Sequence, residues 1–343
     1  MRVGVLTGGG DCPGLNAVIR AIVRKAERHY QDSIIGFKDG WSGVLEGDFI
    51  PLDVNFMRGS LPRGGTVLGT SRVSPRMYSD GFDKVRSTME STGIDALIVI
   101  GGEGTLSAAA SVQEAGAAQV VGVPKTIDND IALTEQTFGF DTAVSIATSA
   151  IDRLHTTAES HDRVMVVEVM GRHVGHIATW AGIAGGATLT LIPEHPFDIQ
   201  AVAETIMRRH RRGRWASIVV VAEGALPAEG TLEIAEPEVD EFGHKKLGGI
   251  GHVVASEIGA RTGFDTRVTV LGHIQRGGTP TAFDRVLCSR YGIAAIDAVH
   301  AHKWGSMVAY QAGGMVTVRL VDAIAEAKPV SSELYEVARA FFA

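Results

Sequence analysis

The sequence predicts an α/β fold of two domains, each a mostly parallel sheet flanked by helices. Apolar runs such as DALIVI (residues 95–100) and RVMVVEV (163–169) have the length and composition of strands that are buried on both faces. Segments with helical periodicity follow most of these runs, and this alternation is typical of βαβ units. Because 343 residues are more than one hydrophobic core usually serves, we expect two domains.

The predicted elements alternate along the chain, each placed by an apolar run or by helical spacing between glycine-rich turns. Predicted strands cover residues 3–7, 34–37, 49–52, 95–100, 119–123, 163–169, 189–192, 217–222 and 267–271, with two edge strands at 307–310 and 316–320. Predicted helices cover residues 15–28, 82–91, 106–114, 141–159, about 176–184, 199–211, 247–261 and 281–301, with two short helices in the tail. The polar, acidic stretch Gly224–Lys246 is interpreted as a surface excursion.

Composition excludes several classes of protein. A net charge of −7 and a pI near 5.9 argue against general nucleic-acid binding, and the longest apolar runs are too short to span a membrane. Cys12 and Cys288 form neither a disulfide framework nor a zinc pattern. The chain begins with a strand-like run instead of a signal-peptide core. We therefore expect a cytoplasmic protein.

Six polar or glycine-rich segments follow predicted strands. They are GGGDCPG (8–14), GGEGT (101–105), PKTIDND (124–130), MGRHVG (170–175), EG (223–224) and GHIQRGG (272–278). Ligands of open α/β sheets bind outside the carboxyl ends of the strands, so we expect these segments to converge on one rim. Glycines, carboxylates and arginines together suit a phosphorylated ligand, a metal–nucleotide and an acid/base group.

The first two segments are candidate phosphate-binding turns. GGGDCPG lacks the lysine of a Walker P-loop and nearly matches G-x-G-x-x-G, with Pro13 in place of the last glycine. It is either a tight strand-to-helix turn or a helix start whose N–H groups hold phosphate. Glu103 would repel a phosphate unless a cation such as Mg2+ lay between them. The alternative for Glu103 is a solvated acid favoured by the helix dipole.

The segment PKTIDND places two carboxylates two positions apart. If residues 127–130 are extended, Asp128 and Asp130 face one side and Asn129 the other. Neighbouring carboxylates raise one pKa towards the range that a general base needs. The alternative is a turn in which aspartate caps the backbone.

Arginines, histidines and one cysteine complete the set of candidate groups. Arg163, Arg172, Arg267 and Arg276 are candidates for binding anions, and the alternative for each is a surface ion pair. The histidines His173, His176 and His273 lack the spacing of a zinc site and are interpreted as hydrogen-bonding groups. Cys12, near a helix start, is either a somewhat acidic thiol or a packing residue.

Six motifs in order carry a resemblance to a known family. GGGDCPGLN, GGTVLGTSR, IGGEGT, PKTIDND, SHDRVMVVEVMGR and TVLGHIQRGG, between Gly8 and Gly278, resemble the 6-phosphofructokinase family. The resemblance implies two α/β domains with the active site in the cleft between them. It implies transfer of a phosphoryl group to the 1-hydroxyl of fructose 6-phosphate, a step of glycolysis. An ATP- and Mg2+-binding domain would comprise residues 1–139 and about 276–305, and a fructose 6-phosphate domain residues 140–275 and about 306–343.

The resemblance also assigns site residues. Asp128 would be the general base, Asp130 its acidic neighbour, and Arg72 and Arg172 would neutralise charge. The donor site would comprise Gly10, Arg72, Val73, Gly102, Glu103, Gly104 and Thr105, with Glu103 as the Mg2+ ligand. The sugar phosphate would contact Thr126, Ile127, Asp128, Met170, Gly171, Arg172, Glu223, His273, Ile274, Gln275 and Arg276. Arg163 and Arg267 match residues that a neighbouring subunit supplies, which implies a homo-oligomer, usually a tetramer.

Two departures bear on the phosphoryl donor. Glu103 replaces the Asp of many ATP-using bacterial enzymes, and Lys125 stands where many of those have Gly; both resemble a lineage of mixed ATP and pyrophosphate users. Pyrophosphate users typically carry Asp at the position of Gly104, where glycine leaves room for ATP. We therefore predict ATP as the donor, with a pyrophosphate-dependent fructose 6-phosphate 1-phosphotransferase as the alternative. Lys125 would contact donor phosphate in either case.

Two other classes of protein remain as alternatives. The first glycine-rich turn alone suggests an NAD-dependent oxidoreductase, which would need an acid closing the second strand. Lys38 occupies that position, with Asp39 next. A non-catalytic sugar-phosphate or nucleotide sensor would be expected to have lost Asp128 or Glu103, and both are present.

Overall fold

The computed structural model describes residues 1–232 and 248–342, which divide into two units. Unit 1 comprises Met1–Thr142 and Arg276–Ala327, and unit 2 comprises Ala143–Gln275 and Lys328–Ala343. The predicted boundaries placed the chain after about residue 305 in the second domain. The structure corrects this, because residues 306–319 form two strands of the sheet of unit 1.

The elements alternate between strand and helix over most of the chain. The strands are β1 (Arg2–Gly8), β2 (Ser33–Phe37), β3 (Phe49–Leu52), β4 (Ala96–Gly101), β5 (Val120–Pro124), β6 (Val164–Val169), β7 (Leu189–Leu191), β8 (Ser217–Ala222), β9 (Thr266–Val270), β10 (Ser306–Gln311) and β11 (Gly314–Arg319). The helices are α1 (Leu15–Lys25), α2 (Trp41–Glu46), α3 (Gly81–Thr92), α4 (Glu103–Glu114), α5 (Phe140–His161), α6 (His176–Ala184), α7 (Ile199–Arg211), α8 (Ile250–Thr262), α9 (Ala282–His300), α10 (Leu320–Ala323) and α11 (Ser332–Arg339). The predicted excursion Gly224–Lys246 lies outside the described residues from position 233 onward.

The sheet of unit 1 has the strand order β11-β10-β5-β4-β1-β2-β3 within the described chain. Strands β10, β5, β4, β1 and β2 are parallel, and an antiparallel strand closes each edge. Every residue of β4 and β5 is buried, which explains their continuous apolar sequences. The chain leaves β1 towards β2 and later returns to the other side of β1 as β4. The crevice between the carboxyl ends of β1 and β4 is therefore a topological switch point, where such sheets bind ligands.

The sheet of unit 2 has the order β7-β8-β6-β9 among the described residues, and all neighbouring strands in it are parallel. Strand order changes direction at β6, which lies between β8 and β9. The carboxyl ends of β6 and β9 therefore flank the switch point of this unit.

Close packing and caps fix the helices that border the sites. Helices α1 and α9 approach closely at Gly292, where a Cβ atom would lie 2.5 Å from the carbonyl oxygen of Val18. Thr281 caps α9, since its hydroxyl oxygen accepts the N–H of Asp284. Among the described helices, none is long and apolar enough to cross a membrane.

Candidate active site

The three motif turns of unit 1 begin side by side at the carboxyl edge of its sheet. Gly8 at the end of β1 is paired with Gly101 of β4, and Gly101 is paired with Pro124 of β5. Neighbouring strands lie about 4.8 Å apart. Glu103, two residues after Gly101, and Asp128, four residues after Pro124, thus belong to adjacent turns on the same end of the sheet.

The first glycine-rich turn is shaped by the start of α4. A Cβ atom at Gly8 would lie 2.7 Å from the side chain of Thr105, and one at Gly101 would overlap the same side chain. Thr105 therefore packs over both strand ends, which only glycine permits. Gly9 follows with a φ of 77°, in the left-handed region that favours glycine. A tight strand-to-helix turn is thus present, as one of the two interpretations expected.

A segment of residues 69–72 lies against this turn and carries Arg72. The N–H of Gly9 donates to the carbonyl of Ser71 at 3.1 Å, and the hydroxyl of Thr70 donates to the carbonyl of Gly9 at 2.5 Å. The hydroxyl of Ser71 donates to the carbonyl of Asp39 at 2.6 Å. These contacts hold the backbone next to Arg72, whose side chain is exposed; Val73 is half-buried.

Lys125 is buried beneath the glycine-rich turn. Its side chain is 5% exposed, and its Nζ donates to the carbonyl oxygen of Gly10 at 2.5 Å. Burial lowers the pKa of Lys125, the Arg276 guanidinium lowers it further, and the carboxylates of Asp130 and Asp128 oppose both effects. Arg276 also faces Gly10, where a Cβ atom would overlap its guanidinium. Two cations of unit 1 therefore lie against one glycine turn, and two carboxylates act on the first of them, Lys125.

The loop that carries Asp128 and Asp130 is bent, so of the two conformations considered for it the extended one is not present. The N–H of Asp128 donates to the hydroxyl of Thr126 at 3.0 Å, and Asn129 has a φ of 55°. The Asn129 side-chain oxygen accepts the N–H of Thr137 at 2.9 Å, which holds the bend from below. A threonine turn and a buried amide thus replace extended backbone.

Buried and half-exposed side chains still alternate along the bent loop. Ile127 and Asn129 are buried, whereas Asp128 and Asp130 are half-exposed. The Oδ1 atom of Asp130 is buried and has no hydrogen bond within the described chain. A carboxylate oxygen of this kind suits a polar ligand atom or a cation.

Glu103 and Gly104 are the first residues of α4, and both are exposed. Gly102 precedes the helix in extended conformation, as its N-cap. A Cβ atom built on Gly104 would meet no atom within 4 Å. The start of α4 therefore presents a carboxylate beside open space. Among the described residues, no group of three or more His, Cys, Asp or Glu side chains could hold a metal ion alone.

In unit 2, three segments meet at the carboxyl ends of β6, β8 and β9. The N–H of Met170 donates to the side-chain oxygen of Gln275 at 3.3 Å, and Gln275, which is fully buried, donates to the carbonyl of Gly272 at 3.1 Å. Gly171 has a φ of 136°, so the loop after β6 turns sharply at a glycine. These contacts connect the loop after β6 with the short 3-10 helix Gly272–Arg276.

The turn after β8 packs directly on the same loop. The N–H of Glu223 donates to the carbonyl of Val169 at 2.8 Å, and the N–H of Gly224 donates to the carbonyl of Gly171 at 3.1 Å. A Cβ atom at Gly224 would overlap the carbonyl oxygen of Arg172. Arg172 and Glu223, both half-buried, therefore belong to adjoining backbone segments.

The structure does not bring Arg163 and Arg267 to this edge. Arg163 precedes β6, whereas Arg172 follows its end, and six residues of strand span about 20 Å. Both arginines bind one carboxylate, Asp265: the Nε of Arg163 lies 2.6 Å from it, and Arg267 contacts its other oxygen. The hydrogen bond from Arg163 lowers the pKa of Asp265, and Arg267 acts in the same direction. Within one chain, they form surface ion pairs.

The candidate histidines and the cysteine have varied surroundings. His173, His273 and Ile274 are exposed, and His176 lies within hydrogen-bonding distance, 3.0 Å, of the carbonyl of Lys328. Cys12 is buried, and burial raises its pKa to about 12. Of the two interpretations of Cys12, a packing residue agrees with the structure and a somewhat acidic thiol does not.

Sequence reasoning missed three residues that organise the edge of unit 1. Asn16, fully buried, donates to the carbonyls of Arg63 and Gly64 and accepts the N–H of Val67. It thus holds the loop that leads to residues 69–72. Asp284 accepts hydrogen bonds from the segment around residues 139–142, and Arg76 contacts α4 through Ser107. These contacts are long-range, and the only local signal was that Asn16 ends the GGGDCPGLN motif.

Comparison with known proteins gives one consistent result. The family model described as "Phosphofructokinase" matches residues 2–299. The chain is 54% identical to the pyrophosphate–fructose 6-phosphate 1-phosphotransferase of Streptomyces coelicolor, over 100% of both chains. It is also 54% identical to the ATP-dependent 6-phosphofructokinase of Corynebacterium efficiens, over 100% of this chain and 99% of that one.

A solved structure extends the similarity to the whole fold. The crystal structure of Pichia pastoris phosphofructokinase in the T-state superposes with a TM-score of 0.84 at 31% identity. It covers 99% of this chain, which spans only 36% of the Pichia chain. With a family model that matches nearly its whole length, the chain belongs to the phosphofructokinase family.

Proposed function

We propose that this protein is an ATP-dependent 6-phosphofructokinase, which transfers the γ-phosphoryl group of ATP to the 1-hydroxyl of fructose 6-phosphate. The observation that carries the proposal is the meeting of three turns at the carboxyl edge of the sheet of unit 1. These turns bring a glycine-rich loop, Glu103 and Asp128 to adjacent strand ends. Family membership supports the substrate, since relatives of both donor types are named for fructose 6-phosphate.

The donor phosphates are assigned to the switch point between β1 and β4. The residues proposed to bind them are Gly10, Arg72, Val73, Gly102, Glu103, Gly104 and Thr105. Gly8 and Gly101 make room for the side chain of Thr105 at the strand ends, and α4 directs its N-terminal N–H groups towards the same place. Arg72 offers a guanidinium fork at the edge of the crevice, suited to a phosphate.

Mg2+ fits this site as a partner of the donor. Because the described side chains include no metal-binding cluster, Glu103 would hold the ion together with phosphate oxygens of ATP. When bound, Mg2+ neutralises the charge that develops on the transferred group and the leaving phosphates. Glu103 is exposed and lies at a helix start, so its carboxylate can contact such an ion without rearrangement of the fold.

Asp128 is proposed as the general base. As the 1-hydroxyl oxygen forms a bond to the γ-phosphorus, the bond from that phosphorus to the bridging oxygen of ADP breaks. The hydroxyl proton passes to Asp128. Asp130 lies beside it, and Arg72 and Arg172 are assigned to neutralise charge on the transferred group. Positioning and charge neutralisation then supply most of the acceleration, and the base supplies about 10²–10⁴-fold.

The sugar phosphate is assigned to residues carried over from the family motifs. These are Thr126, Ile127, Asp128, Met170, Gly171, Arg172, Glu223, His273, Ile274, Gln275 and Arg276. The contacts of Gln275 with Met170 and Gly272 support a shared role for the last two segments. Arg163 and Arg267, at the opposite end of β6 and β9, are proposed to serve the site of a neighbouring subunit in a homo-oligomer, a tetramer in the family pattern.

ATP is favoured as the donor by the open space at Gly104, which leaves room for phosphates beyond the transferred one. A pyrophosphate-dependent enzyme is the second candidate, and relatives of that name favour it. Steady-state turnover with MgATP and with MgPPi at saturating fructose 6-phosphate distinguishes the two. We expect kcat/KM to be at least tenfold higher for MgATP, and a preference for MgPPi would overturn the assignment.

The same assay tests the base. Asp128→Asn preserves the size of the side chain and leaves the backbone N–H that bonds Thr126 unchanged. We expect kcat to fall by about 10²–10⁴-fold and KM for fructose 6-phosphate to stay within about threefold. Wild-type turnover in this variant would remove Asp128 from the mechanism.

A further inference from the structure

We propose that Tyr291 of α9 is a positioning residue, which holds the loop of Asp128 in its bent conformation. It acts through two contacts with the segment that follows this loop, at Thr134 and Gln136. This inference rests on the proposed function, in which Asp128 is the general base. It adds a residue that is assigned no contact with either substrate and affects the reaction only through the loop.

The hydroxyl group of Tyr291 links two points of that segment. It donates to the carbonyl oxygen of Gln136 at 2.8 Å, and its oxygen lies 2.7 Å from the hydroxyl oxygen of Thr134. Because a tyrosine has one hydroxyl proton, Thr134 donates in the second contact. The oxygen of Thr134 also accepts the N–H of Tyr310, on β10, at 3.0 Å. These hydroxyl groups therefore connect the segment to a helix and to a strand of the sheet.

The two hydroxyl groups are closed to solvent. Tyr291 is fully buried, and Thr134 is 3% exposed. Burial raises the pKa of Tyr291, so its hydroxyl keeps its proton and remains a donor at neutral pH. A hydrogen bond in such surroundings is stronger than one in water, and a buried partner that loses it stays unsatisfied. Loss of the Tyr291 hydroxyl should therefore loosen the segment.

One peptide group joins Tyr291 to the bend in the loop. The carbonyl oxygen of Gln136 accepts the Tyr291 hydroxyl, and the N–H of the same peptide group belongs to Thr137. That N–H donates to the side-chain oxygen of Asn129 at 2.9 Å, the contact that holds the bend. Because a peptide group is planar and rigid, fixing its carbonyl also fixes the direction of its N–H. Tyr291 therefore orients the donor that keeps Asn129 in place.

Thr137 carries the same restraint to the residues before the bend. Its hydroxyl donates to the carbonyl of Thr126 at 2.7 Å, and the hydroxyl of Thr126 accepts the N–H of Asp128 at 3.0 Å. Backbone pairing of Lys125 with Phe138 lies next to these contacts. The position of Asp128 thus depends on Thr137 from both sides. A general base must lie within hydrogen-bonding reach of the proton that it accepts, so this position affects the rate.

A second anchor on the same face of α9 gives Tyr291 a distinct role. Asp284 lies two turns before Tyr291 and accepts the N–H groups of Gly139 and Thr142. It fixes the chain where α5 begins, whereas Tyr291 fixes the part of the segment nearer the loop. Removal of the Tyr291 hydroxyl should therefore displace the loop without unfolding the unit.

The test compares Tyr291→Phe with wild type by steady-state kinetics, with whichever donor the wild type uses. Phenylalanine fills the same space and removes only the hydroxyl. We expect kcat to fall about tenfold, because a misplaced reacting group lowers the chemical rate. KM for the donor should stay within about twofold and KM for fructose 6-phosphate within about threefold. Thr134→Val, which removes the other hydroxyl of the pair, takes its place if Tyr291→Phe does not fold. A kcat equal to that of wild type would overturn the proposal.

Tyr335→Phe is the matched control. Tyr335 is another buried tyrosine, in unit 2, whose hydroxyl donates to the carbonyl of Thr190 at 3.2 Å, and it has no assigned role. Its kcat should remain within about twofold of wild type. An equal fall of kcat in both tyrosine variants would indicate a general effect of losing a buried hydroxyl and would overturn the proposal.

A double-mutant cycle with Asp128→Asn separates positioning of the base from general damage. If Tyr291 acts through Asp128, adding Tyr291→Phe to Asp128→Asn should lower kcat by less than about twofold further. A further fall as large as the one that Tyr291→Phe causes in wild type would overturn the proposal.

A failure of the proposed base is distinguishable from a failure of this inference. If Asp128→Asn keeps wild-type turnover, the base assignment fails, and hydrogen exchange measured by mass spectrometry decides whether Tyr291 holds the loop. Peptides that cover residues 126–137 should exchange at least about fivefold faster in Tyr291→Phe than in wild type, with peptides of β4 unchanged. Equal exchange of residues 126–137 in the two proteins overturns the inference as well.

Discussion

Gly104→Asp separates the two donor types with little disturbance of the fold. Gly104 is the second residue of α4, its φ lies outside the left-handed region, and a Cβ atom there meets nothing within 4 Å. An aspartate fits without strain, and the helix dipole favours a carboxylate in the first turn. We therefore expect the free energy of unfolding to change by less than about 1 kcal/mol, so any loss of activity reflects the donor.

The expected loss with ATP follows from charge repulsion. Two unit charges about 5 Å apart repel each other by roughly 3 kcal/mol at an effective dielectric constant near 20. Because position 104 is exposed and Mg2+ would accompany the phosphates, we take about half of this, near 1.5 kcal/mol. That energy corresponds to a fall of about tenfold in kcat/KM for MgATP.

The assay is steady-state kinetics with MgATP as the varied substrate and fructose 6-phosphate at saturation. Gly104→Asn is the control, because it adds the same volume without the charge. If kcat/KM for MgATP falls in Gly104→Asp and does not fall in Gly104→Asn, the result supports donor phosphates beside position 104. Equal kcat/KM values for MgATP in wild type and Gly104→Asp would refute the placement of the donor phosphates beside Gly104.

Two further predictions concern packing and pH. Gly224→Ala forces a Cβ atom into the carbonyl of Arg172, so we expect KM for fructose 6-phosphate to rise at least fivefold. The control is Gly259→Ala, whose added Cβ atom makes ordinary contacts in α8 and should leave that KM unchanged. Steady-state kinetics of the two variants measure the difference, and equal KM values would contradict the prediction. Burial raises the pKa of Asp284 from 3.8 to about 6, so the native state binds its proton more tightly than the unfolded state does. The stabilisation by that proton is complete below about pH 4 and is lost above about pH 6. In urea titrations, the free energy of unfolding of wild type should therefore fall by about 3 kcal/mol over this range relative to Asp284→Asn. If the free energy of unfolding of wild type and of Asp284→Asn depends on pH in the same way, the result contradicts this prediction.

The alternating strands and helices could be predicted because their signals are local. Strands β4 and β5 are buried throughout, so their apolar runs are continuous and end at glycine or proline. Helix α2 was missed because six residues between Gly40 and Gly47 are too few to show a helical period. The tail strands were predicted, but their sheet was not, since pairing of β10 with β5 joins residues 185 positions apart.

The chemistry of the site was more predictable than its conformation. Residue types after each strand indicated phosphate, carboxylate and arginine chemistry, and the paired strand ends place three of these turns together. The bend at Asn129 depends on Thr137, and the contact of Arg76 depends on Ser107. Neither partner is marked by a pattern in the sequence. Asn16 illustrates the same limit, because its three hydrogen bonds lie 47 to 51 positions away.

Overall sequence similarity and local structure give different information about the phosphoryl donor. Relatives named for pyrophosphate are 54–56% identical to this chain and relatives named for ATP are 51–54% identical, so overall similarity does not separate the two donors. By residue type, Lys125 is compatible with either donor, whereas Gly104 favours ATP. In the structure, the Nζ of Lys125 is buried and bonded to the Gly10 carbonyl, where it supports the glycine turn that either donor would use. Gly104, by contrast, borders the open space that a longer donor needs. We therefore expect the residue at position 104 to have the larger effect on donor choice, so that exchanging it alters the ratio of the two activities more than exchanging Lys125.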